Sequence, residues 1–405
     1  MKILLITDTH ASTGGGAEKY FFWLKKQLQQ QPNLTIHSMG FGAPADSDAH
    51  CTVLSETNSK FLRQWWRMFF NPKKYFELRT AIYKINPDII HLHNVKKYTI
   101  SLFKAIADYP VIQTVHDYSP ICPTGWNVHE DLKPCPTGLT VECWWRHRRD
   151  YNFMTYLGLL FSFNRMNKFL KANIKKFIAP SPMLEHYLRI NQFGATVYLP
   201  PFRAEQGIAS FSKMQAQQFL YVGQLEIQKG VIILLREFAL AWSKNKNLLL
   251  KIAGTGSQKQ FLMQQIKALK LENNVLLLGW VNPENLYEET TALIFPSIGL
   301  ESFGMVITEA MGHARAVIGS NRGPTAWLID NNETGLLFDP LKTGDLAEKI
   351  LQLSSHPEQA KEFGQKAFTK ANQFLTDAEN IEKILTVYND VIKSNPKKRA
   401  LSRSF

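Results

Sequence analysis

Two glutamates, Glu301 and Glu309, lie within PSIGLESFGMVITEAMG, residues 296–312. The apolar run Ala292-Leu293-Ile294-Phe295 reads as the end of a buried strand. A polar, glycine-containing turn follows, then a helix expected from about Phe303 with Ser302 as its N-cap. The amides of Gly304, Met305 and Val306 would then be unpaired donors at the positive end of a helix dipole, an arrangement that holds phosphate or carboxylate. With Glu301 in the loop and Glu309 roughly two turns inside, the carboxylates are on the order of 10 Å apart along one face, about the span of a nucleoside diphosphate. A solvated helix face carrying two carboxylates has the same spacing, so neighbouring groups must decide between the two.

Lys229 is one such group. It falls between a strand end and a helix start in FLYVGQLEIQKG, residues 219–230, where Gly230 permits close approach and the ammonium supplies a point charge suited to diphosphate. His116 follows the strand expected over Val111–Val115 and precedes Asp117 and Tyr118, at the end of a strand where α/β enzymes display reactive groups. INPDIIHLHN, residues 85–94, places His91 and His93 on one side of a short strand. No third metal ligand is close by, so they are read as lining a cleft. After a first strand over Lys2–Thr7, HASTGGGAE (residues 10–18) is a glycine-rich turn whose backbone can approach a ligand, leading to a helix from near Ala17. It is not the dinucleotide fingerprint, because the third glycine position falls on Lys19. Cys122, Cys135 and Cys143 lie in a proline-rich loop, residues 119–150. They are read as thiols packed in that loop, with zinc held by these three and His147 (or His129) as the alternative.

Strand and helix signals alternate over all 405 residues, enough for two domains with their own cores and a parallel sheet in each. Pro200-Pro201 and the polar stretch from Arg203 to Gln218 separate them, giving an N-terminal domain over 1–200 and a second over 201–384. A last helix, about Ala378–Ile392, is followed by a basic tail, and the segment of about 385–405 is expected to return to the first domain. The formal net charge of +13 implies anionic partners, and without a nucleic-acid motif no nucleic acid is expected. Residues 60–79 mix six basic with seven aromatic residues, and Met154–Phe163 is apolar, a combination suited to an anionic membrane surface. The apolar start before Thr7 is too short for a signal peptide and no apolar run approaches a membrane span. A cytoplasmic location is expected, with contact at the inner face of the membrane.

Taken in order, GGGAE, PDIIHLHN, TVHD, VGQLEIQKG, AGTGS, GWVNPENLY, PSIGLESFG with EAM, and ETGLLFDP resemble the retaining family 4 glycosyltransferases over almost the whole chain. The resemblance implies the GT-B fold: two facing, doubly wound, Rossmann-like domains with a cleft between them. It also implies transfer of a sugar from a UDP- or GDP-sugar to an acceptor hydroxyl with retention, no bound metal, and a glycan or lipid-linked glycan acceptor in cell-envelope or extracellular polysaccharide synthesis. By the same resemblance, Glu301 approaches the donor sugar and Glu309 accepts from the ribose hydroxyls. The Gly304, Met305 and Val306 amides hold the diphosphate with Lys229, Gly15 and Gly16 close on it, and His116 sits beside the transferred sugar. The base would lie near Gly279 to Val281. Two departures stand out: Gln224 replaces the usual arginine, and Ala314, Arg315 and Ala316 occupy the usual glycine–proline segment. A catalytically inactive partner subunit that binds nucleotide sugar or glycan, or a sugar-nucleotide epimerase, are the alternatives.

Overall fold

The computed structural model describes residues 1–9, 15–41, 50–54, 70–95, 100–122, 125, 135, 143, 153–200, 211–374 and 376–395. Seven strands form one sheet: β1 (Lys2–Thr9), β2 (Thr35–Phe41), β3 (Cys51–Leu54), β4 (Ile89–Leu92), β5 (Val111–Thr114), β6 (Lys176–Ala179) and β7 (Thr196–Tyr198). Six form another: β8 (Gln218–Val222), β9 (Leu249–Ala253), β10 (Val275–Gly279), β11 (Ala292–Phe295), β12 (Ala316–Ser320) and β13 (Gly335–Phe338). Every pairing is parallel, and the chain divides into two compact units, one around each sheet. Near-continuous apolar runs such as Ile3-Leu4-Leu5-Ile6, fully buried, are what a parallel strand covered on both faces requires.

The first sheet has the order β3-β2-β1-β4-β5-β6-β7 and the second β10-β9-β8-β11-β12-β13. Each reverses direction once, between β1 and β4 and between β8 and β11. Because parallel crossovers are right-handed, the reversal sends helices to opposite faces. In the first unit the Gly16–Gln29 helix packs with Ile3, Leu5, Ile89, Ile112 and Ile178, together with the Asp377–Ser394 helix. This last helix starts with a capping box, Thr376 and Glu379, and is tied down by Trp23 Nε1 and Gln27 Nε2, both 3.0 Å from Asp377 Oδ2. It therefore belongs to the first unit although the Arg203–Leu375 stretch of the other unit precedes it.

In the second unit the Val231–Lys244 and Asp345–Ser355 helices cover one face of the sheet. The other carries the Met305–Gly312 helix, whose Ile307, Ala310 and Met311 pack with Phe295, Val317 and Leu328. The expected linker ends at Gln218, and its last residues are not loose. Phe211 lies under the Arg315 guanidinium at 5.2 Å, and the Gln215 amide donates to the Glu289 carbonyl.

The segment after EAM turns on Ala314, a left-handed alanine at φ 55° where the family pattern has glycine. Its carbonyl packs against Gly364 of the Pro357–Ala371 helix, where a Cβ would come within 2.1 Å of that oxygen. Gly364→Ala therefore forces helix and turn apart and should lower unfolding stability by about 2 kcal/mol, read from denaturant melts.

Candidate active site

Ligands of open parallel sheets lie beyond the carboxyl ends of the strands, where the strand order reverses. In the second unit that position is between β8 and β11, and the loops leaving these two strands carry the carboxylate and lysine singled out above. The loop after β8 closes into a single 3₁₀ turn, Ile227–Lys229, ending on Gly230 at φ 71°. A Cβ at Gly230 would stand 1.9 Å from the Pro296 carbonyl oxygen, so only glycine lets the two loops touch. The Gln228 carbonyl then accepts from the Ile298 and Gly299 amides, each at 3.0 Å. Held this way, Lys229 Nζ reaches Glu301 Oε1 at 2.6 Å, and the Ser297 hydroxyl donates to the same oxygen at 2.6 Å.

The helix after Glu301 starts later than expected. Its N-cap is Gly304, at φ 98°, and it spans Met305–Gly312; Ser302 is not the cap. The reason is packing: Phe303 is 4% exposed in the apolar cluster with Ile307 and Leu328, which pins it before the helix can begin. Gly304, Met305 and Val306 still form the entry, with first-turn amides that have no partner within the helix. Glu309 stands little more than one turn in, half-buried, and accepts a hydrogen bond from the Tyr287 hydroxyl at 2.8 Å.

Gln224 is exposed at the end of β8, and its backbone carbonyl accepts from the Tyr221 hydroxyl at 2.7 Å. Burial, with the Glu301 and Glu226 charges, holds the Tyr221 phenol well above its ordinary pKa and keeps it a donor. Arg315 is 1% exposed, and burial lowers its pKa to about 10. Its Nε donates to the Tyr287 carbonyl at 2.7 Å and its Nη2 to the Glu288 carbonyl at 2.6 Å. Trp280 and Val281, beyond β10, are exposed.

In the first unit, β4 and β5 deliver His93 and His116 to each other, His93 Nδ1 lying 3.0 Å from His116 Nε2 with the rings stacked at 5.3 Å. His116 is half-buried under the edge of Tyr20. The expectation that His91 and His93 line a cleft is corrected: they are 0% and 2% exposed. Phe21 packs on His93, and Tyr388 of the last helix closes over His91. The His91 ring is bonded on both sides, to the Tyr388 hydroxyl and to Thr114 Oγ1, each at 2.7 Å. Burial lowers the His91 pKa to about 3, and burial, His91 and His116 hold His93 well down.

Gly15 is the N-cap of the Gly16–Gln29 helix at φ −78°, and both glycines are exposed. Among the described residues, no group of three His, Cys, Asp or Glu is placed to hold a metal. Cys122, Cys135 and Cys143 are thiols near the Tyr156 hydroxyl, whose pKa is raised by burial and then by Cys143. His129, His147, Gly14 and residues 60–69 lie outside the described residues. Ser297 and Tyr287 were not singled out from the sequence, although Tyr287 stands in the quoted GWVNPENLY segment and Ser297 begins SIGLESFG.

Two family profiles match in tandem, Glycosyltransferase Family 4 over residues 14–194 and Glycosyl transferases group 1 over 203–370. The chain belongs to glycosyltransferase family 4. Over 171 residues this family 4 chain is 28% identical to a poly(ribitol-phosphate) alpha-N-acetylglucosaminyltransferase of Staphylococcus aureus, covering 42% of this chain and 34% of that one. It spans about a third to a half of the length of the curated relatives it matches. Its fold is that of Anabaena HepE, solved with UDP, at TM-score 0.69 and 19% identity over 96% of this chain and 100% of that one. It is also that of the pneumococcal O-GlcNAc transferase GtfA, solved with UDP and GlcNAc, at TM-score 0.70 and 13% identity over 97% and 99%. Two Rossmann-like units with these neighbours make the GT-B fold.

The depressed histidines make the fold acid-sensitive in a defined window. An unfolded histidine takes up a proton near pH 6.5, whereas His91 stays neutral in the native state down to about 3, so its contribution is complete above pH 6.5 and shrinks as pH falls. Each such group steepens the loss by up to about 1.4 kcal/mol per pH unit. Denaturant melts between pH 7 and 4 should show this slope, and His91→Gln should flatten it.

Proposed function

We propose that the protein is a retaining glycosyltransferase that moves a sugar from a nucleoside diphosphate sugar to an acceptor hydroxyl, in the building of a cell-envelope or extracellular glycan. The observation that carries this reading is the meeting of Lys229 and Glu301 beside the entry of the Met305–Gly312 helix, at the strand-order reversal of the second unit. As the bond between the anomeric carbon and the diphosphate oxygen breaks, negative charge grows on the departing phosphate. The Lys229 ammonium and the amides of the helix entry neutralise it, supplying charge stabilisation that other transferases draw from a divalent metal. An ammonium has three donors, so Lys229 can keep Glu301 while meeting phosphate. Glu301, steadied by Ser297, is then at the donor sugar, and Glu309 takes the ribose hydroxyls. To His116 the reading gives the role that the family resemblance implies, a place beside the transferred sugar.

UDP in the HepE and GtfA structures supports a uridine donor, and the transferase named among the relatives is, by its name, a poly(ribitol-phosphate) alpha-N-acetylglucosaminyltransferase. Exposed Gln224, in the place of the family arginine, favours a second reading, an inactive partner subunit that only binds nucleotide sugar. Turnover decides between them. Lys229→Ala and Glu309→Ala should each abolish transfer or donor hydrolysis, with folding retained by circular dichroism. In the wild type, UDP or UDP-sugar should raise the melting temperature more than GDP counterparts; no thermal shift with any nucleotide sugar would sink both readings.

A membrane-proximal acceptor is part of the proposal. The Phe153–Asn173 helix exposes Phe153, Leu157 and Phe161 (45%, 37% and 62%), one stripe at four-residue spacing. Beyond it come Arg165, Lys168 and Lys171, with no acidic residue in the helix. The Pro72–Ile85 helix exposes Phe76 and Tyr83 and carries four basic residues against Glu77 alone. No helix among the described residues is long and apolar enough to cross a bilayer, so the contact is interfacial. Anionic vesicles should sediment the protein at low salt, with neutral vesicles inert and Phe161→Ser reducing binding severalfold; equal recovery with both kinds of vesicle would refute the contact.

A further inference from the structure

We propose that Tyr287 is a positioning residue that sets the ribose-recognising carboxylate, and that Arg315 holds Tyr287 in place; this rests on the reading of Glu309 as the ribose contact. Tyr287 closes the GWVNPENLY segment on the short Glu284–Glu289 helix. Its side chain is 1% exposed, and its hydroxyl donates to Glu309 Oε2 at 2.8 Å. Only the half-buried Glu309 has a part that faces outward, so the phenol anchors the carboxylate from its inner side and fixes the plane in which it meets a ligand. The phenol is a dependable donor here, since burial and the Glu309 charge both disfavour its ionised form. The ring is fixed in turn by stacking on His313, centroids 5.2 Å apart.

Arg315 completes the chain of support. The last carbonyls of a helix have no partner within it, and the buried guanidinium takes two of them, those of Tyr287 and Glu288. This gives a physical role to the departure at residues 314–316. The arginine stands at the start of β12, one residue after the left-handed Ala314 and six after Glu309, and ties the short helix carrying Tyr287 to the strand that follows the helix carrying Glu309. A carboxylate that is free to rotate accepts from hydroxyls in many directions, whereas one clamped on one oxygen favours a fixed diol geometry. The support therefore acts on discrimination for ribose, not only on affinity.

The test is calorimetric titration of the full chain with UDP and with 2′-deoxy-UDP. Tyr287→Phe removes one oxygen and should weaken UDP binding by about threefold to tenfold, and should narrow the preference for UDP over the deoxy analogue. Glu309→Ala should do both more strongly, and the combined variant should bind no more weakly than Glu309→Ala alone, because Tyr287 acts through Glu309. Tyr287→Phe with unchanged affinity and preference beside a weakened Glu309→Ala would overturn the inference while leaving the ribose reading intact, as would a further loss in the combined variant. Glu309→Ala binding UDP like the wild type would instead remove the ribose reading itself. If Tyr287→Phe fails to fold, Glu309→Asp probes the same contact from the other side: it keeps the charge but falls short of the phenol, and must lose the ribose preference for the inference to stand.

Discussion

The Lys229–Glu301 pair is the contact on which the second unit's site depends. Both side chains are largely withdrawn from water, at 20% and 13% exposure, so either one left alone would carry a costly uncompensated charge. Their meeting requires two loops to run side by side, which requires β8 and β11 to be neighbours, and thus the reversal of strand order. Gly230 is the local condition, because any Cβ there would collide with the Pro296 carbonyl. The carbonyl and carboxylate contacts around Gln228 and Ser297 then make the geometry rigid. A site built this way presents a cation and a helix entry together, the pairing that the proposed diphosphate would match.

The first unit is organised around a different constraint, the burial of polar groups beneath its reversal point. His91 and His93 pay the desolvation cost of imidazoles in a dry core by remaining neutral, and His91 satisfies both ring nitrogens on Thr114 and Tyr388. Tyr388 belongs to the helix at the far end of the chain, and the same helix sends Asn380 Nδ2 to the Pro200 carbonyl at 2.9 Å. The last helix is thus both a lid on the apolar face and the hydrogen-bonding partner that makes a buried His91 tolerable.

Much of the architecture was legible in the sequence because parallel strands buried on both faces leave uninterrupted apolar runs. Ala292–Phe295 was read to the residue, and the doubly wound fold of the family resemblance is the one found. Local chemistry was less legible where packing overrode it. Ser302 has the side chain of a cap, but the burial of Phe303 and the left-handed turn at Gly304 moved the helix start past it. Alternation placed His91 and His93 on one side of a strand, yet could not tell an open cleft from a core, since the groups covering them come from residues 20–21 and 388.

The sequence by itself determined the alternation of strand and helix, the parallel winding and the order of the family segments, because periodicity and glycine placement are local properties that survive without neighbours. Only the tertiary structure decided that Lys229 and Glu301 share an ion pair, that Tyr287 grips Glu309, and that Arg315 serves backbone carbonyls. Each joins residues brought together by strand order and not by proximity in the chain: 72 residues separate Lys229 from Glu301, and 22 separate Tyr287 from Glu309. A buried arginine and an exposed one look alike in a sequence, and the difference lies in what the folded chain packs around them.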